Sequence, residues 1–519
     1  MISFSGKNWE EEKLNQRLIN KIKIENNLNE VIAKQILLKK FNNEEIYSIK
    51  NNLLLKNPFI KKLDFLQGIV LLDDTIKKKE HICIIGDYDV DGCVSTSLIV
   101  NLLQKLNTSY TYFIPNRITD GYGSSIKLLK KILKKETGLV IMLDNGSNSN
   151  EAINYLNKLK INSIIIDHHE IYKPHPKSNV LINPKKKCNY SDYNYLCSAT
   201  LTYFFIDFYI KKKKLKINLS YFLPLVLMAT VSDVMPLRKI NRTIAKNVLS
   251  DPNLKKNYFF NKVFEMKKIN RPINIDDFGF IFGPIVNSAG RLDNPNIIVK
   301  LFTSNKKEVI SSIVINLILL NEKRKLLEYE ILKSINFNLI KSNLNSIIIL
   351  EKKNLNEGLI GIIASRLKTY FNKPVIVMTK SGNFFKGSAR STDNFNIGFL
   401  IKKALDYNFL ESGGGHNLAA GFTIKKENIH IFKKFLYVND YKITPLKFKY
   451  LSKISFNAIN NFFLSDLKNL EPYGEGNVNP FFLLEDIEFV NIKILKNKLI
   501  TFFIKNNSGK VLPAISFNL

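Results

Sequence analysis

Apolar and polar positions follow different rhythms along the chain, and the changes of rhythm divide it. Residues 1–75 place apolar side chains at three- and four-residue spacing with only Gly6, Pro58 and Gly68 as breakers, which predicts helices in an N-terminal extension. From about residue 80 short apolar runs take over and stop at turn-forming residues: ICIIG (82–86), TYFIP (111–115), GLVIML (138–143), INSIII (161–166) and NVLIN (179–183). Helical stretches such as CVSTSLIVNLLQKL (93–106) and NSNEAINYLNKLK (148–160) separate them. Strands that are apolar throughout and alternate with helices belong to parallel βαβ units, so a doubly wound sheet is predicted. Residues 195–300 read as mostly helical, and 306–345 contain no Gly or Pro, predicting one long helix between two globular parts. A second α/β unit follows, with SIIIL (346–350), GLIGIIASRLKTYF (358–371) and PVIVMT (374–379) as strand, helix and strand, and then Gly-rich loops. Beyond 445 apolar and aromatic runs alternate with turns, the pattern of a small β-domain.

Length and composition bound the rest. A chain of 519 residues has room for about three or four domains. Four Cys (Cys83, Cys93, Cys188, Cys197) without a C-x-x-C pair fit neither a disulfide scaffold nor a zinc ribbon, so a reducing compartment is expected. The first residues, MISFSGKNWEEEKLNQ, lack the basic-then-apolar order of a secretory signal, and no run of about eighteen apolar residues occurs. The expectation is a soluble, cytoplasmic monomer without membrane contact. Lys and Arg exceed Asp and Glu by 77 − 45 = 32, which draws polyanions. Lys, Asn and Ile crowd the whole sequence, however, so charge alone does not separate nucleic-acid binding from compositional drift.

The chemistry collects at strand ends. The run 82–86 leads into Gly86-Asp87-Tyr88-Asp89-Val90-Asp91-Gly92, the run 138–143 into Asp144-Asn145-Gly146, and the run 161–166 into Asp167-His168-His169. Ligands of open α/β sheets bind beyond the carboxyl ends of strands. A calcium loop of the EF-hand type needs a Glu where Leu98 stands. Clustered carboxylates repel one another unless a cation neutralises them, and Asp-rich sites with an added imidazole suit Mn²⁺ or Mg²⁺. Asp233, in TVSDVMPL, is a fourth source of acid. The paired His168 and His169 point different ways in an extended chain, so one can bind metal while the other meets a phosphate. A pair of such ions activates water and clamps both oxygens of an in-line phosphoryl displacement, which predicts a phosphoesterase.

Together GDYDVDG, DNG, DHH and SDVMPL resemble the DHH phosphoesterase family. PNRITDGYG (115–123), NSAGRLD (287–293), EGLIGIIASRL (357–367), KGSARS (386–391), GGGHNLAAGF (413–422) and LEPYGEGNVNP (470–480) are similar to the branch of that family that digests single-stranded DNA 5′→3′. The resemblance implies metal ligands at Asp87, Asp89, Asp91, Asp144, His168 and Asp233, with Asp144 bridging two ions. It implies catalytic roles for His169, Asp144 and Asp167, and places substrate phosphates against Arg117, Asn287, Arg291, Ser388, Arg390, Gly415 and His416. The implied fold is two α/β lobes, DHH and DHHA1-like, joined by the long helix, with an OB-like β-domain read as incomplete at Leu519. The corresponding division is 1–75, 76–245, 246–345, 346–440 and 441–519. Leu355-Asn356 stand where the family has a Trp-His pair, which removes a stacking ring and an imidazole.

The leading expectation is an exonuclease that releases 5′-mononucleotides from single-stranded DNA in recombination and repair, with a single-strand-binding protein and a helicase as partners by analogy. Short RNA oligonucleotides or cyclic dinucleotides are the alternative substrates, and a nucleic-acid-binding scaffold without turnover is the non-enzymatic alternative.

Overall fold

The computed structural model describes residues 8–116, 120, 123–188, 190–342, 346–438, 448–495 and 499–517. The chain forms two compact units, one of Leu55–Pro236 with Val248–Thr444 and the other of Met1–Leu54, Leu237–Asn247 and Pro445–Leu519.

The larger unit holds two five-stranded sheets. The first is made of β1 (His81–Ile85), β2 (Tyr110–Phe113), β3 (Thr137–Leu143), β4 (Asn162–Ile166) and β5 (Val180–Ile182), all parallel, in the order β2-β1-β3-β4-β5. Each strand coincides with one of the predicted apolar runs. They are legible because both faces are covered. Cys83, Ile85, Val140, Met142 and Ile165 pack against helices Ile126–Ile132 and Asn150–Lys158, while helices α1 (Val90–Lys105) and α2 (Ser198–Lys212) cover the opposite side. Strand order reverses between β1 and β3, the topological switch point where a doubly wound sheet opens a crevice at its carboxyl edge.

Helices α3 (Leu223–Ser232) and α4 (Gly283–Leu292) follow, and then α5, which spans Lys307–Lys333. The expected uninterrupted helix to 345 is shorter: the Ser334 N–H closes onto Glu330 and Ile331, and the Asn336 side chain accepts from the Asn338 N–H to start a separate helix, Phe337–Ser342. A polar capping residue thus ends the run without a Gly or Pro.

The second sheet contains β6 (Ile348–Glu351), β7 (Val375–Ser381), β8 (Phe384–Arg390), β9 (Ser412–His416) and β10 (Ala419–Lys425) in the order β9-β10-β8-β7-β6, with only β6 and β7 parallel. Period-two alternation sends Val375 and Val377 toward helix α6 (Ile360–Phe371) and Ile376 and Met378 toward helix Ile397–Asp406. The Gly-rich segments GSAR and GGGH are not loops, as expected from sequence, but parts of β8 and β9. The Phe422 ring of β10 lies over Gly387, so the glycine makes room for an aromatic across the ladder.

In the smaller unit, Ile32, Ile36 and Ile49 from two N-terminal helices and Phe41 from the turn between them share a core with Leu470. Arg242, 1% exposed, ties them together by donating to Ser48 Oγ (3.0 Å) and to the Leu470 carbonyl (2.7 Å). The helical reading of the N-terminus misses the short strand Trp9–Glu11, which pairs in parallel with Phe448–Tyr450. Strands Ile487–Leu495, Leu499–Asn506 and Val511–Ser516 form an antiparallel sheet, the expected OB-like part. Among the described residues no helix is long and apolar enough to cross a membrane.

Candidate metal centre

Three strand ends and one helix end meet at the carboxyl edge of the first sheet. After β1 the chain turns into α1, and Asp89 caps that helix by accepting the Gly92 N–H at 3.1 Å. Asp91, in the first turn and 1% exposed, accepts the Ser198 and Ala199 N–H groups of α2 at 2.8 Å each, one per oxygen. A carboxylate offers about four lone-pair sites, so this cap leaves room for further ligation. After β3, Asp144 takes a left-handed backbone conformation (φ 61°), tolerated by Asp, and accepts from Ser198 Oγ at 2.9 Å. Asn145 pins the edge by donating to the carbonyls of Ile85 and Leu143.

After β4 the paired histidines lie with ring centroids 4.9 Å apart and take different main partners. His168 is buried, its Nε2 lying 3.2 Å from Asp233, 3.4 Å from Asp144 and 3.7 Å from Asp91. His169 is 42% exposed, and its Nδ1 meets Asp167 Oδ1 at 2.8 Å. That same oxygen accepts the backbone N–H groups of both histidines, while the other accepts from Ser147. Asp167 therefore orients a histidine. Asp233 closes the group as the residue capping the carboxyl end of α3.

The carboxylates crowd one another in a buried place. Burial and the neighbouring carboxylates hold the Asp144 and Asp233 carboxyls well above the usual range, and burial with Asp89 pushes Asp91 up to about 6. Burial and His169 push His168 down to about 3, so this imidazole stays neutral among three acids and offers a lone pair. Burial works against a charged His169, yet the charge and hydrogen bond of Asp167 outweigh it and push His169 up to about 10. Asp167 is correspondingly held below the ordinary carboxylate range despite its burial. Ligand atoms converge in three sets, Asp87-Asp89-Asp144, Asp91-His168-Asp233 and Asp144-His168-His169, with Asp144 common to the first and last. Hard oxygens plus neutral imidazole fit Mn²⁺ or Mg²⁺.

Of the expected phosphate-holding residues, Asn287 and Arg291 lie on a helix that touches this edge, while Ser388, Arg390, Gly415 and His416 lie on the second sheet. Helix α4 packs on the acidic loop, where a Cβ on Gly290 would stand 2.2 Å from the Tyr88 carbonyl. The next residue, Arg291, donates to the Gly358 carbonyl at 3.0 Å, and a Cβ on Gly358 would stand 2.4 Å from the Arg291 carbonyl. Asn287 lies one turn earlier on α4. Arg291, Arg390, Arg366, Gly361 and Ser365 line a cavity of about 240 Å³ at the amino end of α6. Ser388 Oγ accepts from Arg390 Nη1 at 3.2 Å. His416 ends β9, beside Gly415; burial, Arg390 and Lys185 lower its pKa. Arg117 lies outside the described residues. In place of the family's Trp-His pair, Leu355 is buried among Ile360, Ile363 and Val377, and Asn356 Oδ1 accepts the Gly358 N–H at 2.8 Å. Sequence reading missed Ser198, whose backbone and hydroxyl hold Asp91 and Asp144, because CSAT carries no signal; Asn145, inside DNG, could have been found.

Three family models match: DHH family, N-terminal domain (residues 81–230), DHHA1 domain (344–437) and RecJ OB domain (452–519). The single-stranded-DNA-specific exonuclease RecJ of Haemophilus influenzae is 28% identical over 488 residues, 87% of this chain and 83% of its own. The Escherichia coli RecJ is 27% identical over 390 residues, 71% of this chain and 67% of its own. The crystal structure of RecJ in complex with Mn²⁺ from Thermus thermophilus superposes with a TM-score of 0.83 at 20% identity, covering all of this chain and 75% of that one, so the folds agree. The acidic strand ends, both α/β lobes and the C-terminal sheet are thus matched in order by a DHH family N-terminal domain, a DHHA1 domain and a RecJ OB domain, and the chain is similar to RecJ exonucleases over most of its length.

Proposed function

We propose that the chain is a divalent-metal-dependent exonuclease that degrades single-stranded DNA 5′→3′ to 5′-mononucleotides, in recombination and repair. The observation that carries this reading is the convergence of Asp87, Asp89, Asp91, Asp144, His168 and Asp233 at the switch point of the first sheet, in a chain whose relatives bear that activity in their names. Those six residues would hold Mn²⁺ or Mg²⁺, which supplies an activated water and neutralises charge in phosphoryl transfer.

The protein's own groups do the rest. With Nδ1 engaged by Asp167, His169 presents Nε2 to the scissile phosphate as a proton donor to its oxygens. Arg291 and Arg390 offer guanidinium forks to backbone phosphates, with Asn287, Ser388, Gly415 and His416 completing the grip. Arg117 belongs to the same set by resemblance. Two α/β lobes and the OB-like sheet provide more surface than a dinucleotide needs, which favours a polymer over short RNA or cyclic dinucleotides. The reading extends to action as a cytoplasmic monomer alongside a single-strand-binding protein and a helicase.

The test is digestion of 5′- and 3′-labelled single strands, duplex and RNA in Mn²⁺ or Mg²⁺, with Asp144→Ala as control. Labelled mononucleotide should leave the 5′ end of DNA single strands only, and the substitution should abolish release. Binding without cleavage in either metal would return the chain to the scaffold reading.

A further inference from the structure

The sequence FGFIF (278–282) folds as a turn of π-helix leading directly into α4, closed by the Gly283 N–H donating to the Phe278 carbonyl. Of its three phenylalanines, Phe278 and Phe282 are fully buried in an aromatic core with Phe259 and Phe260. The middle one, Phe280, is 80% exposed. Wide π turns recur at functional sites because they re-aim one side chain out of the helical register.

The direction of that ring is informative. Among the partly or fully accessible positions of the continuous helix, Phe280, Pro284, Asn287 and Arg291 are spaced by four, three and four residues, which sets them along one side. The face carries the two residues of α4 expected to hold phosphates, with Phe280 about 16 Å along the axis from Arg291. On its other side the turn packs against α3, Gly279 against Val231 and Gly283 against Ser232, immediately before the acid Asp233. An exposed ring thus stands in line with the cationic grip, on a helix whose far end packs on the acidic loop at Gly290.

We propose that Phe280 is a stacking platform for one nucleobase of the bound single strand, a role that rests on the exonuclease reading. An aromatic face accepts any base, which suits an enzyme that must advance regardless of sequence, and a base can stack only when it is unpaired. Phe280 is thereby a positioning residue: it holds the strand upstream of the residues that grip phosphate and contributes to single-strand preference.

The experiment uses the full chain. Phe280→Ala should raise KM for a single-stranded oligonucleotide by about ten-fold, the size expected for one lost base stack, with kcat within about two-fold. Phe280→Tyr should restore the parent KM, which a merely structural defect would not predict. In a Trp9→Phe background, which removes the chain's one tryptophan, Phe280→Trp provides a direct signal. With divalent metal withheld, single-stranded DNA should quench the new indole, and an oligonucleotide series with one abasic site should lose quenching at one position only. If the parent binds and cuts single strands while Phe280→Ala keeps its KM, or the indole is unquenched on saturated protein, the inference is overturned and the exonuclease reading stands. If the parent neither binds nor cuts single strands, both fall.

Discussion

At the scale of single residues, the adjacent histidines are set apart by one carboxylate. Asp167 binds the ring and backbone of His169 and the backbone of His168, so it orients the His169 ring and favours its charged form. His168, the next residue along the chain from Asp167, is surrounded by acids it does not neutralise. Asp167→Asn should leave Mn²⁺ affinity nearly unchanged yet lower kcat by about a hundred-fold, because the donor loses both orientation and charge. The sign of the accompanying titration follows from the cause of the shift. Asp167 holds the His169 pKa up at about 10, so the cation persists below that pH and the substitution moves its loss to lower pH. An NMR titration of the two proteins would check this; an unmoved His169 resonance would remove Asp167 from the mechanism.

Elements show why some of the architecture was readable and some was not. The five parallel strands were legible because burial on both faces forces continuous apolar runs, and their polar ends were legible as chemistry because nothing in a strand cap requires three consecutive acids or histidines. Strands β8 and β9 were hidden by their glycines, whose role is to accommodate Phe422 and neighbouring backbone. Trp9–Glu11 was hidden because its partner, Phe448–Tyr450, is more than four hundred residues away. The contact between Gly358 and Arg291 has the same long-range character. Gly358→Ala should push the two backbones apart and raise KM for DNA several-fold, while Mn²⁺ affinity holds. In the smaller unit, Glu45 forms a capping box with Asn42 and a two-pronged pair with Arg238 at 2.6 and 2.8 Å. Burial opposes its ionisation, but Arg238 and the backbone donors lower its pKa below the ordinary 4.5. Its contribution is therefore complete above about 4.5 and lost as pH falls through the lowered value. Glu45→Gln should cost about 3 kcal/mol at neutral pH, read by denaturant melts, and flatten that acid limb.

For the whole molecule the open question is whether a net charge of +32 binds DNA or only reflects composition. The fold separates the two. Lys105 and Lys158 are exposed at the carboxyl ends of helices that run back along the first sheet, so they lie at its amino edge, opposite the metal centre. Arg390 and Arg291 line the cavity at the amino end of α6. A charge that neutralises a phosphate releases counterions and contributes about 0.7 to the slope of log affinity against log salt for a single strand. Diffuse charge changes long-range attraction but not that count. Arg390→Gln should therefore reduce the slope by about 0.7 and weaken binding at every salt concentration, whereas Lys105→Gln with Lys158→Gln should leave the slope unchanged. Equal effects from the two changes would mean that DNA is held by the overall field rather than at the cationic cavity, and would detach the grip residues from the path of the strand.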